Sequence, residues 1–204
     1  YWGFTGKLES NFNKATTLIN PYIANDYEIK PTRHQKIIYG GVKGYISSNL
    51  SFDIKATYSE LADKMLFVND YSDSTAYRFN VVYDDVDMVN VFTEIAYDSK
   101  KKFSFRLKAN YYNYFNLREQ DYAWHMPDFD VTLRTGYNLM DKILLHADFF
   151  VIGKRNALPE AISPPIPTQL DEVYDFNLGA EYKYNEKFSG FLNINNLIAS
   201  KYYQ

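Results

Sequence analysis

The most constraining feature of this sequence is a strict alternation of apolar and polar residues. From Leu50 to Ser59 every second side chain is apolar and every intervening one is polar. Side chains alternate between the two faces of a β-strand, whereas a helix brings every third or fourth residue together. The segment is therefore predicted to be a strand with one apolar face and one wet face.

The same alternation recurs along the chain, so about nine strands are predicted. All seven prolines fall outside the alternating segments, as expected because proline cannot donate to a strand ladder. The cleanest segments are 50–59, 103–111, 129–138 and 174–184, and the weaker ones are 2–8, 35–47, 77–98, 143–153 and 188–197.

The links between these segments alternate between short and long. In an up-and-down sheet all short turns then lie at one end and all long links at the other. Transmembrane barrels show this asymmetry, with short periplasmic turns and long outer loops, whereas sandwiches usually mix link lengths. The short turns are 47–49, 98–101, 138–141 and 185–187, and the long links are 10–34, 69–75, 117–127 and 154–170.

Alternation alone also fits a soluble β-sandwich, whose inner faces are apolar at the same period. Three features favour a membrane barrel. The apolar face of the clean segments carries no charge, its aromatic residues fall in two bands, and segments of roughly ten to fifteen residues exceed the strand length usual in soluble sheets. The predicted fold class is all-β, a partial antiparallel transmembrane β-barrel of about nine strands from a larger up-and-down barrel.

Composition excludes several other functions. The net charge is −3 and no basic cluster is present, so nucleic acid is not an expected partner. The chain has no cysteine, which removes thiol catalysis and cysteine-bound metals. No apolar run is long enough for a helical membrane span, but a strand span needs only ~9–11 residues.

Several motifs follow one another in a familiar order. They are VVYDDVD at 81–87, NYYNY at 110–114, AWHMP at 123–127, FFVIGKR at 149–155, and NINNL at 193–197 followed by KYYQ at 201–204. Together they resemble the C-terminal barrel of TonB-dependent outer-membrane receptors, particularly those of Bacteroidetes-type bacteria. The resemblance covers essentially the whole chain and favours a receptor barrel over a porin.

The resemblance implies a barrel of about 22 strands around a plug, which imports a nutrient such as a glycan, siderophore or cofactor across the outer membrane of a Gram-negative bacterium. Residues 1–204 would be the C-terminal portion of that barrel, without the plug domain and the final strand. The implied partners are the lipid bilayer, the nutrient, an inner-membrane energy-coupling protein acting through the plug and, as in some relatives, a surface lipoprotein. No cofactor is implied. A passive porin-like or structural and adhesive barrel is the open alternative.

Enzymatic and metal-binding functions find little support in the sequence. His146 and Asp148 point to the same side of one predicted strand and could belong to a hydrolytic set, but no nucleophile motif accompanies them, so a polar wall is favoured and no catalytic residue is predicted. The spacing of Asp84, Asp85 and Asp87 does not match a known calcium loop, so no metal site is predicted.

Ligand contacts are expected in the long links. Trp124, His125, Tyr22 and Tyr27 are the candidates, because aromatic and polar side chains can stack on a ligand or hydrogen-bond to it. Ordinary loop packing is the competing interpretation for each of them. The sequence leaves the substrate open, because specificity would lie in these links and in the plug.

Overall fold

The computed structural model describes residues 1–9, 30–70, 78–99, 102–158 and 167–198, so Tyr22 and Tyr27 lie outside the described residues. No helix long and apolar enough to cross a membrane occurs within these ranges. The strands that they form are β1 (Trp2–Glu9), β2 (Thr32–Ser47), β3 (Leu50–Asp70), β4 (Arg78–Asp98), β5 (Phe103–Phe115), β6 (Phe129–Leu139), β7 (Ile143–Ile152), β8 (Arg155–Ala157), β9 (Thr168–Leu170), β10 (Val173–Lys183) and β11 (Ser189–Ile194).

Nine of these strands form one antiparallel sheet in the order β1-β2-β3-β4-β5-β6-β7-β10-β11. Each strand pairs with the next along the chain, except that β8 and β9 pair with each other as a separate hairpin between β7 and β10. The up-and-down connectivity predicted from the alternating links is confirmed. Short turns therefore lie at one end of the sheet and long links at the other.

All nine predicted strands are present, and β4 agrees with its predicted range of 77–98, whereas β3 continues well past the predicted range of 50–59. β3 and β4 have 21 residues each and pair with one another well beyond the end of β5. We call this protruding part, residues 61–70 of β3 and 78–86 of β4, the rim extension. The hairpin of β8 and β9 was not predicted, because three residues are too few to show a period.

A β-bulge in β3 separates the rim extension from the rest of the sheet. Leu61 pairs with Val86 and Lys64 pairs with Asp84, so β3 has one more residue than β4 between these two pairs. An extra residue in one strand reverses the face to which alternate side chains point. In β3, the odd-numbered residues before the bulge (50–61) therefore share a face with the even-numbered residues after it (64–70).

Polar contacts from both neighbouring strands hold the bulge in place. Asp63 lies in the bulge with a φ of 54°, a left-handed conformation that aspartate tolerates better than most residues. Its carboxylate accepts a 2.7 Å hydrogen bond from Arg33 of β2, and its backbone N–H donates to Asp85 of β4 at 3.1 Å. The hydroxyl of Thr32 donates to its carbonyl oxygen at 3.2 Å. The irregularity is thus a specified feature of the sheet.

The most buried apolar side chains are concentrated in the rim extension. Leu66, Ala62 and Val81 are all nearly inaccessible, whereas large apolar residues of the main sheet such as Ile54 and Leu145 are exposed. The main sheet exposes them because no second layer of described residues covers its apolar face. A sheet of this kind needs another apolar environment, which a soluble sandwich would supply from its own chain.

Candidate functional site

The register of the sheet gathers apolar residues on one face. Leu107 of β5 pairs with Ile95 of β4 and with Leu133 of β6, and Leu133 pairs with Phe149 of β7, which pairs with Phe176 of β10. Residues that pair directly across strands share a face. This row crosses five strands without a polar member, which confirms the apolar face predicted from alternation.

Aromatic rings band the apolar face at two levels. Near the short turns, the rings of Tyr97, Phe103 and Phe105 contact one another with centroids 6.2, 5.9 and 6.1 Å apart. Towards the long links, the rings of Tyr58 and Phe115 lie 6.4 Å apart. From Phe103 to the upper band the apolar stretch of β5 measures roughly 30–40 Å along the strand at ~3.3 Å per residue, and a membrane strand is also tilted by ~35–45°. The two bands are spaced as interfacial girdles would be.

Charges appear on the apolar face immediately beyond the upper band. Lys36 of β2 forms a 2.8 Å ion pair with Glu60 of β3, and its Nζ lies 5.7 Å from the centroid of the Tyr58 ring. The cost of a charged residue on a lipid-exposed barrel face falls from ~2–4 kcal/mol at the bilayer centre to nearly zero at the interface. The Lys36–Glu60 pair therefore marks the upper limit of the uncharged band.

The opposite face of the same strands, here called the polar face, carries the charges. Glu94 on β4 lies 3.7 Å from Arg106 and 3.3 Å from Lys108, both on β5. Arg134 on β6 lies 3.9 Å from Asp148 on β7. All of these side chains are partly or largely exposed, so each ion pair contributes little to stability. Their arrangement indicates a face in contact with water.

Uncharged polar side chains continue this face towards the long links. The amide of Asn90 on β4 donates to the side-chain oxygen of Asn110 on β5 at 3.3 Å, and the Asn110 amide donates to Asp130 on β6 at 3.1 Å. These bonds link three neighbouring strands side by side. The polar face is therefore a connected hydrogen-bonding surface in this region.

A cavity of about 840 Å³ lies against the polar face near the short turns. This volume is within the ~300–1,000 Å³ range of small-molecule sites. Its charged and hydroxyl groups could form ion pairs and hydrogen bonds with a polar solute. The polar residues that line it include Ser104, Arg106, Lys108, Arg134, His146 and Asp148.

The geometry of His146 does not suit hydrolysis. Ser104 on β5 and His146 on β7 are separated by β6, hence by about 10 Å at the usual strand spacing, beyond hydrogen-bond reach. The imidazole covers Gly179 of β10, on the side away from Ser104. Asp148 pairs with an arginine of β6. The arrangement is that of a polar wall.

The long link between β5 and β6, residues 116–128, is attached to the rim extension through Asp84. This carboxylate is 3 % exposed and accepts hydrogen bonds of 2.8 to 3.2 Å from the backbone N–H groups of Arg118, Glu119 and Gln120. Three converging N–H groups satisfy a buried carboxylate and fix the start of the link. Sequence reasoning did not identify this role of Asp84.

The two neighbouring carboxylates also bind the β5–β6 link. Asp85 lies 3.5 Å from the guanidinium of Arg118, and Asp87 accepts a 2.8 Å hydrogen bond from the amide of Asn116. Within the described ranges, no three His, Cys, Asp or Glu residues are grouped so that they could hold a metal ion. These carboxylates attach a loop to the sheet.

Trp124 lies inside the packing between this link and the rim extension. It is 1 % exposed and packs with Leu66 and Val68 of β3, while its indole N–H donates to the side-chain oxygen of Gln120 at 3.0 Å. Because of the bulge, Leu66 and Val68 point to the polar-face side, as Asp84 does. The β5–β6 link therefore folds over the polar face at its long-link end, and the burial of Trp124 favours a packing role.

His125 connects the same link to β8. Its backbone N–H donates to the carbonyl oxygen of Asn156 at 2.8 Å, and its ring meets the Phe79 ring edge to face with centroids 5.6 Å apart. Burial, and secondly the positive charge of Arg155, lower the pKa of His125 below its ordinary value. Both effects favour the neutral form of the imidazole.

Comparison with known proteins gives a likeness in structure and none in sequence. No family model and no curated protein matches the sequence. In structure, the ferric-catecholate import receptor Fiu from E. coli matches with a TM-score of 0.66 and 14 % identity over 98 % of this chain and 28 % of Fiu. This likeness establishes the fold, a partial antiparallel barrel sheet like that of an outer-membrane receptor.

Two further solved structures show the same likeness. The copper transporter OprC has a TM-score of 0.64 and 12 % identity over 100 % of this chain and 32 % of its own. The pyoverdine outer membrane receptor FpvA from Pseudomonas aeruginosa has a TM-score of 0.64 and 14 % identity over 97 % of this chain and 29 % of its own. The chain thus spans less than a third of the length of each of these receptors.

Proposed function

We propose that this chain is part of the barrel wall of a TonB-dependent receptor that imports a scarce nutrient across the outer membrane. The observation that carries the proposal is the division of the sheet into an uncharged, aromatic-banded face and a charged face with a cavity. A wall between lipid and a water-filled passage requires this division. The structural likeness to receptors for ferric catecholate and pyoverdine supports import over a purely structural role.

In this proposal the polar face lines the passage. Arg106, Lys108 and Arg134 meet the solute or the plug inside the barrel, and the β5–β6 link forms part of the outer mouth. The nutrient is a small molecule or an oligomer, and Tyr22, Tyr27 and His125 remain candidates to contact it, with Trp124 supporting the link from within.

The proposed setting is the outer membrane of a Gram-negative bacterium, of the Bacteroidetes type by the sequence motifs. An inner-membrane energy-coupling protein would act through a plug, and a surface lipoprotein would be a further partner. Both of these partners rest on the sequence resemblance, and catalysis has no part in the proposal.

Uptake and conductance measurements together test the function. The complete gene product would be expressed in a Gram-negative host lacking its own iron receptors, with and without the energy-coupling protein, and supplied with radiolabelled ferric catecholate or ferric pyoverdine. In parallel, the purified protein would be inserted into planar bilayers. Energy-dependent uptake together with silent bilayers is expected, whereas a stable open-channel conductance would overturn the proposal in favour of a passive pore.

A further inference from the structure

The contact between the β5–β6 link and β8 contains two buried nitrogen atoms without a hydrogen-bond partner. They are Nε2 of His125 and Nε of Arg155. Residues 125 and 155 are adjacent across this contact, because the backbone of His125 donates to the carbonyl oxygen of Asn156. Buried polar groups in folded proteins are nearly always paired, so two unpaired nitrogen atoms lower the stability of this contact.

The backbone of His125 turns at this contact. Its φ of 58° lies in the left-handed region, which histidine tolerates better than most residues. The Phe79 ring packs against the imidazole, and the hydrogen bond to Asn156 holds the backbone. The side chain is thereby placed against β4 while the backbone is fixed to β8.

The groups around His125 disfavour a positive charge on its ring. From β8 the positive charge of Arg155 acts on the ring, and Lys154 precedes Arg155 in the chain. From β4 the ring meets the uncharged Phe79. The carboxylates of the link that lie nearest to His125 in the sequence, Asp121 and Asp128, are exposed to solvent, where their charges are well screened. A proton added at Nε2 would lie in a buried position without an acceptor among the described residues and under the influence of the positive charge of Arg155.

We propose that this contact is an acid-sensitive latch, in which protonation of His125 releases the hairpin of β8 and β9 from residues 125–127 of the link. The rest of the link stays in place, because Asp84 holds residues 118–120 and Trp124 packs on Leu66 and Val68. Release would open the side of the link that β8 covers. The latch depends only on contacts within this chain, so it goes beyond the receptor function and can fail or hold independently of it.

The direction of the pH dependence follows from the lowered pKa of His125. The closed state favours the neutral ring, so its extra stability is fully present above the ordinary pKa of histidine, ~6.5. That stability is lost as the pH falls towards the lowered value in the closed state. Replacing Arg155 removes one cause of the lowered pKa of His125, so the pH midpoint of release should move upwards.

Distance measurements between two spin labels test the latch. Residues 1–204 contain no cysteine, so Asp121→Cys on the link and Gln169→Cys on β9 give a unique labelled pair in the complete gene product in detergent micelles, once any cysteine elsewhere in it is replaced by serine. Gln169 is exposed and pairs directly with Asn156, the backbone partner of His125. Pulsed electron–electron double resonance would give the distribution of distances between the two labels at pH values from 7.5 to 5. This range lies well above the ordinary pKa of aspartate.

A single short distance at pH 7.5 and a growing longer population towards pH 5 are expected. His125→Asn, which tolerates the left-handed backbone, and His125→Gln should abolish the change with pH. Arg155→Gln should move its midpoint upwards. His146→Gln, a histidine of the polar face far from this link, should behave like the unmodified chain.

Two results would overturn the latch. One is a distribution that does not change between pH 7.5 and pH 5 in the unmodified chain. The other is an acid transition that persists in both His125 variants. If those variants are already open at pH 7.5, the midpoint in Arg155→Gln decides, because an unshifted midpoint contradicts the proposal.

Discussion

The backbone N–H of Glu119 donates to both carboxylate oxygens of Asp84, at 3.1 and 3.2 Å. The N–H groups of Arg118 and Gln120 donate to one oxygen each, so the carboxylate receives four contacts from three consecutive residues. A planar carboxylate offers enough lone pairs to accept all of them. Asp84 therefore fixes the conformation of the β5–β6 link at its first turn.

Asp84→Asn should loosen this turn. The amide nitrogen of asparagine cannot accept a hydrogen bond and would face a backbone donor. We expect a loss of about 2 kcal/mol, seen as roughly 30-fold faster hydrogen exchange at the amides of 118–120. Asp85→Asn is the control, because its carboxylate is 38 % exposed and contacts this turn only through the side chain of Arg118. Its bond from the N–H of Asp63 can still be accepted by the asparagine side-chain oxygen. Equal effects of the two variants would contradict the role assigned to Asp84.

Trp124→Ala should detach the middle of the link from the rim extension. Removing a fully buried indole from beside Leu66 and Val68 costs about 3–5 kcal/mol, which would appear as rapid proteolysis between residues 117 and 128. Trp2→Ala, at a side chain that is 86 % exposed, should leave proteolysis unchanged. Trp124→Phe keeps most of the apolar volume and should have an intermediate effect. An alanine variant as resistant as the parent would contradict the packing role.

Arginine substitutions on β3 can distinguish lipid from water at the apolar face. Ile54 is 45 % exposed, so Ile54→Arg would be nearly neutral in a water-soluble protein. In a bilayer the same change should cost about 2–4 kcal/mol in the free energy of folding into lipid vesicles. Thr57→Arg, on the polar face of the same strand, should cost much less. Equal costs for the two variants would place both faces in the same medium.

Two glycines on neighbouring strands, Gly179 of β10 and Gly190 of β11, should respond differently to a methyl group. A Cβ on Gly179 would lie 2.1 Å from the His146 ring and 2.5 Å from Asn193, so Gly179→Ala must displace both and should cost about 1–2 kcal/mol in unfolding experiments. Nothing lies within 4 Å of a Cβ on Gly190, so Gly190→Ala should be neutral or slightly stabilising. A reversed order would contradict the position of His146.

The main sheet could be predicted from the sequence, because the alternation of apolar and polar residues is visible within each strand. Leu107 and Leu133 belong to strands that alternate without error, and each strand shows by itself which residues share a face. The alternation of short and long links then predicts the up-and-down order of the strands. The same local pattern located the charges of Arg106, Lys108 and Arg134 on the polar face.

The outer end could not be predicted in the same way, because its contacts join distant parts of the chain. Asp84 binds backbone groups 34 to 36 residues away, and nothing in its own surroundings in the sequence indicates them. Trp124 stands in a polar link, and its burial depends on Leu66 and Val68, which belong to a distant strand. The bulge at Asp63 has no signal in composition, since the alternation simply fades there.

The bulge also has an evolutionary consequence. Because one additional residue shifts the phase of β3, the membrane-facing repeat and the rim extension follow separate patterns within one continuous strand. Mutations in the rim extension need not preserve the alternation that the main sheet requires. Deletion of one residue at Asp63 would move the side chains of both Leu66 and Val68 to the apolar face. The outer surface can thus diversify as an exchangeable unit while the barrel beneath it stays constant.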